Sequence, residues 1–279
     1  MVVFYKDQLF KTVVTYFLLG TAAFVFLCPL LWLFFSSFKT ADQIFSYPIT
    51  FLPPSPTFEN FKNLFEAKWI LKYTVNSTFF ASAHTIFLLI ISTLSGFAFA
   101  KYSFRGRRIL FGIVLASMMI PFHLVLVPLF SLLHSFGWLD TYQGVILPYL
   151  ASTGFGVFLM RQFILGIPNE LIDAARIDGA SEFGIYWRVI LPAIKPAMGA
   201  LSIFGFLGAW NEFLWPMIVL RDMEKFTLPL GLANLMGIYQ QEYGILMAGI
   251  ILSTVPIVLL FMAMQKEFVQ GITLGAVKE

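Results

Sequence analysis

Apolar residues in this chain run in long charge-free blocks, at 12–38, 73–100, 109–139, 141–160, 196–211 (continuing to 220 past Glu212) and 244–265. Each block is about as long as the ~18 residues a helix needs to cross a bilayer, or longer. Strands are excluded as spanning elements, because runs of this length far exceed a barrel strand and lipid demands that every backbone group be bonded internally. The pattern predicts an all-α membrane protein with six transmembrane helices.

Composition agrees. The 279 residues are 59% hydrophobic and 12% charged, with 33 phenylalanines; soluble domains carry about 25% charged residues. A net charge of +3 is too small to point to nucleic acid. The basic residues are placed as topology signals instead. With both termini cytoplasmic, the inner segments hold 12 of the 18 Lys and Arg residues and the outer segments hold 6. The short loop "KYSFRGRR", 101–108, has four positive charges and no acid, which fixes the orientation most sharply. The first apolar block is too long for a cleavable leader, so it is expected to remain as a span. Cys28 is the sole cysteine, which leaves no intrachain disulfide, and no Cys/His cluster suggests a metal.

The outer segment 39–72 contains prolines 48, 53, 54 and 56, which preclude regular helix there, while "NFKNLFEA" after them predicts a short surface helix. Residues 161–195 are the polar exception to the apolar pattern. Pro168 suits a helix start, "NELIDAARID" has helical spacing, and Gly179 suits a helix end. Ser181 caps a second helix expected to stop before Pro192. The spacing predicts a helix, a tight glycine turn and a second helix, all facing water. Ala174 and Ala175 give the first helix a face with almost no side chain, open to close approach by another backbone.

This passage resembles the coupling motif of ATP-binding-cassette importer permeases: Glu-Ala-Ala, three residues, Gly, nine residues, Ile, one residue, Leu-Pro. Here it reads Asp173-Ala174-Ala175, Gly179, Val189 and Leu191-Pro192, with Asp for Glu and Val for Ile. "RQFILGIPNELIDAARIDGAS", "WNEFLWP", "FTLPLGLA" and the tail "FVQGITLGAVKE" resemble the carbohydrate-uptake branch, the second permease of maltose-type and glycerol-phosphate-type systems. The resemblance implies a type I importer permease fold in the bacterial plasma membrane. It implies a second homologous permease, two ATPase subunits that bind ATP and Mg, and an extracytoplasmic solute-binding protein. Asp173, Ala174, Ala175, Arg176, Asp178, Gly179, Ala180 and Ser181 would engage the ATPase. The tail from Gln265 would reach between the ATPases through Gly271, Gly275 and Lys278, although this chain ends Lys278-Glu279 where the family commonly ends Lys-Gly. The segments 40–72 and 221–243 would receive the binding protein. The chain is expected to form one permease domain over 1–279, with 161–195 as its cytoplasmic helix-turn-helix and 265–279 as its tail.

No G-x-x-x-x-G-K-[ST] phosphate loop is present, so energy is expected from a partner rather than from this chain, which is expected to hold no cofactor and no catalytic residue. Glu212 is the sole carboxylate inside an expected span, where a charge costs on the order of 3 kcal/mol and faces a partner or a water-filled cavity. With Trp210, Asn211 and Trp215 it is a candidate for the path of a sugar, since aromatic faces stack on C–H faces and carboxyl and amide groups hold hydroxyls. The bland alternative is a solvated carboxylate near the outer interface beside belt tryptophans. His84, His123 and His134 lack metal spacing and read as packed polar residues. Pro121 and Pro128 are expected to kink the third span. Ser92, Gly96 and Ala100 offer a small-residue packing face. An ion-coupled secondary transporter is the alternative function. It calls for several ionisable midplane groups and internal repeats, and the chain offers one carboxylate and no evident repeat. A membrane hydrolase would need a nucleophile–base pair, and none is visible.

Overall fold

A computed structural model describes residues 2–238 and 243–276, with side chains described for 10–235 and 243–267. Among the described residues every regular element is helical. Three helices are long and apolar enough to span: α1 (Val2–Ser36) through Phe10–Ser36, α4 (Trp69–Lys101), and α15 (Tyr243–Ala276) through Tyr243–Glu267. Three bent pairs supply the rest. The first joins α5 (Arg107–Ser117) to a tight turn at Phe122–Val125 and α6 (Leu126–Ser135), bent by 91°. The second joins α7 (Tyr142–Leu150) to α8 (Gly154–Leu165) at 47°, and the third joins Glu182–Ala193 to α12 (Lys195–Trp210) at 78°. Counting each pair once gives up to six spans, as many as the hydrophobic blocks predict, although the third pair starts at Glu182, ahead of the fifth block, and its first half belongs to the polar segment 161–195.

The chain divides into two compact units, residues 1–70 with 232–254, and residues 71–231 with 255–279. In the first unit the apolar 18-residue window of α1 has no buried residue. A helix apolar all round and buried by nothing of its own requires lipid or another chain around it. The loop after α1 is tightly built. The Asn60 amide, on the predicted short helix α3 (Glu59–Glu66), donates to the Ser37 and Lys39 carbonyls at 2.8 Å each. Lys39, fully buried, donates to the Thr50 carbonyl. Phe38 packs on Phe58 and Phe61 with ring centroids 5.3 and 5.2 Å apart. Prolines keep this loop out of helix, and two amide hydrogen bonds with an aromatic cluster fix it instead.

The second unit is held by close backbone approach. A Cβ on Gly156 of α8 would lie 2.2 Å from Ser92 Oγ of α4, and one on Gly96 would lie 2.8 Å from Met160 Cβ. The small-residue face of α4 therefore packs against α8, as its spacing suggests. Pro121 stands at the 91° bend, while Pro128 sits in the first turn of α6, where its missing N–H leaves no bond unmade. Two breaks were not predicted. One separates α7 from α8 at 151–153. The other, at 211–213, divides α12 from a short α13 (Leu214–Val219), so the fifth block is not a continuous helix past Glu212. Beside the second break Glu212 Oε1 accepts the Trp215 backbone N–H at 2.9 Å, one of the N–H groups that the first turn of α13 leaves unpaired.

Candidate functional site

Two places in the second unit carry polar chemistry. The first is the helix-turn-helix after α8. α9 (Asn169–Ile177) starts behind Pro168 and ends at Gly179, whose φ of 82° is the left-handed conformation that glycine adopts freely. The Ala180 N–H bonds the Ala175 carbonyl at 2.9 Å and the Gly179 N–H bonds the Arg176 carbonyl at 3.0 Å, the paired closure of a Schellman turn. Ser181 Oγ accepts the Gly184 N–H at 3.1 Å and caps α10 (Glu182–Ile185).

α10 does not stop before Pro192. It runs through a π turn at Tyr186–Ile190 into α11 (Leu191–Ala193), and the Leu191 N–H reaches back five residues to the Tyr186 carbonyl. The widened turn relieves the clash between a proline ring and the carbonyl four residues before it, and the chain breaks at Ile194 instead. Nor does the segment face water all round. Ile172, Ile185, Tyr186 and Ile190 are buried in one apolar cluster with Phe97, Met160 and Ile164, and Ala175 and Ala180 pack on its edge. The Thr93 hydroxyl donates to the Leu89 carbonyl at 2.7 Å, so the Tyr186 hydroxyl, also 2.7 Å away, donates to Thr93.

The turn is pinned on its polar side as well. Lys101 at the end of α4 donates to the Ile167 carbonyl at 2.5 Å and to Asn169 Oδ1 at 2.8 Å. Arg176 bonds Asp173 at 3.2 Å and holds Glu182 through two nitrogens, and the Tyr102 hydroxyl donates to Glu182. Burial first, then the Glu182 hydrogen bond and charge, pushes the Tyr102 hydroxyl up to about 12. The Arg176 hydrogen bond in turn holds Glu182 below the usual carboxylate range.

Exposed on this segment are Asp173, Ala174, Asp178 and Gly179, beside Arg176, Ser181, Glu182 and Arg188, together with large apolar side chains: Leu171, Ile177 (87% exposed), Phe183 and Trp187. The last two rings stack at 6.2 Å. Sequence reasoning picked out the small residues and missed this apolar patch. Its signal was available as isolated bulky residues inside a stretch otherwise rich in charge.

The second place is a cavity of about 220 Å³ lined by Phe122, His123, Leu126, Tyr149, Ser152, Glu212, Leu214 and Trp215. Of the four residues expected around a sugar path, Glu212 and Trp215 line it. Trp210 is buried and stacked on Phe206 at 5.6 Å, and Asn211 is exposed; neither is part of the lining. Tyr149 and Glu212 line the cavity together, and Trp215 Nε1 donates to the Gly144 carbonyl at 3.2 Å. Phe122 lies 4.9 Å from the Tyr149 ring and 5.7 Å from the Trp215 ring. His84 packs edge-on against Tyr149, and His134 closes the last turn of α6. Among the described residues no group of His, Cys, Asp and Glu could hold a metal. Of the expected tail contacts, Lys278 lies outside the described residues, and Gly271 and Gly275 are described only as helical backbone of α15.

Three helices long and apolar enough to span, and three bent pairs that raise the number to as many as six, define a multi-pass membrane protein that carries a polar helix-turn-helix. The chain belongs to the family described as "Binding-protein-dependent transport system inner membrane component", which matches residues 89–274. It is 41% identical over 92% of its length to the arabinooligosaccharides transport system permease protein AraQ of Halalkalibacterium halodurans, covering 92% of that protein. It is 34% identical to the diacetylchitobiose uptake system permease protein NgcG of Streptomyces coelicolor, over 90% of this chain and 84% of that one. The fold superposes on a chain of a bacterial ABC transporter that imports the acidic polysaccharide alginate, with a TM-score of 0.81, 26% identity, and 94% and 98% of the two chains covered. The chain is the membrane component of such a system, not its ATPase.

Proposed function

We propose that this chain is one transmembrane subunit of an ATP-driven importer that moves a sugar or oligosaccharide across the bacterial plasma membrane by alternating access. A second permease completes the pathway, two ATPase subunits bind ATP and Mg, and a solute-binding protein delivers the substrate from outside. The exposed apolar patch beside the Gly179 turn carries the reading. Ile177, Phe183 and Trp187 stand on a segment that is otherwise charged, and an apolar patch of this kind marks a protein contact. A docked ATPase covers them, with Ala174 and Gly179 allowing close approach and Asp173 and Asp178 at the rim. Arg176, Ala175, Ala180 and Ser181 hold the shape that is docked, since their contacts lie within the turn. The names of the relatives, which transport arabinooligosaccharides and diacetylchitobiose, support a glycan substrate. The termini are read as cytoplasmic from the basic loop at 101–108. ATP-dependent glycan uptake by vesicles holding the reconstituted assembly tests the reading. Uptake that follows an ion gradient without ATP overturns it in favour of a secondary transporter.

A further inference from the structure

Three helix interruptions meet at one cavity. Phe122 and His123 follow the break at 118–121, Tyr149 precedes and Ser152 lies within the break at 151–153, and Glu212 lies within and Leu214 and Trp215 follow the break at 211–213. Irregular backbone inside a membrane protein is tolerated where it is covered by protein or lines an aqueous cavity, and discontinuous helices commonly build solute sites. Three breaks converging on one space therefore point to a ligand, beyond what a lone carboxylate in a span indicates.

The lining states the ligand's chemistry. Phe122, Tyr149 and Trp215 offer aromatic faces, while Ser152, His123 and Glu212 offer polar groups around them. Glu212 accepts one hydrogen bond, from the Trp215 N–H at 2.9 Å. A carboxylate has about four acceptor positions, so about three remain for hydroxyl or ammonium donors. The volume, about 220 Å³, lies below the roughly 300–1,000 Å³ of drug-sized sites and suits one sugar ring at a time. Among the described residues Glu212 makes no ion pair.

We propose that this cavity is a single-ring glycan subsite on the translocation path, and that Glu212 makes it select neutral or amino sugars and reject uronates. The proposal rests on the sugar-import reading and adds the site and its charge rule. A ligand carboxylate about 6 Å from Glu212, at an effective dielectric of about 20, would bind roughly a hundredfold more weakly than its neutral counterpart.

The test uses the full assembly in lipid nanodiscs without binding protein, so that selection by that protein does not enter. Equilibrium dialysis measures radiolabelled arabinotriose against trigalacturonate, and the same pair is followed in ATP-driven uptake with binding protein present. The expected result is millimolar binding of arabinotriose with trigalacturonate at least tenfold weaker. Glu212→Gln, which keeps an acceptor for the Trp215 N–H, is expected to close that gap, and Phe122→Leu to weaken both probes. If the two probes bind wild type alike, if neither binds although arabinotriose is taken up, or if Glu212→Gln leaves their ratio unchanged, the subsite is overturned while sugar import stands. If no glycan of either charge binds or is taken up, both readings fall.

Discussion

Arg176 grips Glu182 across the Gly179 turn with two nitrogens, Nε to Oε1 at 2.8 Å and the second terminal nitrogen to Oε2 at 3.3 Å. The two residues are six positions apart and belong to different helices, so the fork holds the angle between α9 and α10. An exposed ion pair alone contributes little to stability. A bidentate pair that also receives the Tyr102 hydroxyl contributes geometry. Glu182→Gln is therefore expected to leave expression and melting temperature nearly unchanged while glycan uptake per ATP hydrolysed falls severalfold. Equal losses in uptake and in thermal stability would show that the pair serves folding instead.

Gly179 needs its backbone, not open space. A Cβ there would meet nothing within 4 Å, but φ is 82°. Gly179→Val should cost about 1–2 kcal/mol in the turn and abolish uptake, while Gly179→Asn, which tolerates this conformation, should retain most of it. Ala174→Glu, on an exposed position, should insert normally and fail in transport. Vesicle uptake and co-purification with the ATPase distinguish these outcomes.

Gly156→Ala should destabilise by about 1–3 kcal/mol, because its methyl group would lie 2.2 Å from Ser92 Oγ. Combining it with Ser92→Gly should recover much of the loss, since the Ser92 hydroxyl is buried without a partner. Thermal melts of the four variants give the coupling energy, and additive losses would place the clash elsewhere.

Asp140 forms a clip between the turn before α7 and the segment after α13. Its N–H donates to the Val219 carbonyl, its Oδ1 accepts the Arg221 and Asp222 N–H groups at 3.0 and 3.1 Å, and its Oδ2 accepts Lys225 at 2.8 Å. Burial alone would raise its pKa, but the Lys225 bond, the two backbone donors and the Lys225 charge outweigh it and hold the carboxyl at about 2. A depressed folded-state value stabilises above the unfolded value of 3.8 and is lost as pH falls from there towards about 2. Wild type should therefore gain about 1–2 kcal/mol over Asp140→Asn at pH 7, with the gap closing below about pH 4. Amide exchange of 221–225 is the readout, and a gap independent of pH would exclude the charge as its cause.

The spans were legible because lipid imposes one rule on backbone, and length with hydropathy reports it directly. The Gly179 turn was legible because Pro168, Gly179 and Ser181 each have a local conformational reason. Tertiary contacts were less so. That α10 buries Ile185 and Ile190, or that Tyr186 reaches Thr93 across 93 positions, depends on partners that periodicity does not name. The cavity was half legible: Glu212 stood out by cost, but Phe122, Tyr149 and Ser152 meet it only because three helix breaks line one space. Beside the break at 211–213 the Glu212 side chain accepts a backbone N–H from within an apolar run, where a charge scan sees an interruption only.

Lys101 and Tyr102 fasten the helix-turn-helix to the end of α4, a helix of 33 residues and so about 50 Å long. A subunit seated on Ile177 would thus stand at one end of the helix whose other residues include Ser92 and Thr85, and the turn it covers is tied to that end by Lys101 and Tyr102.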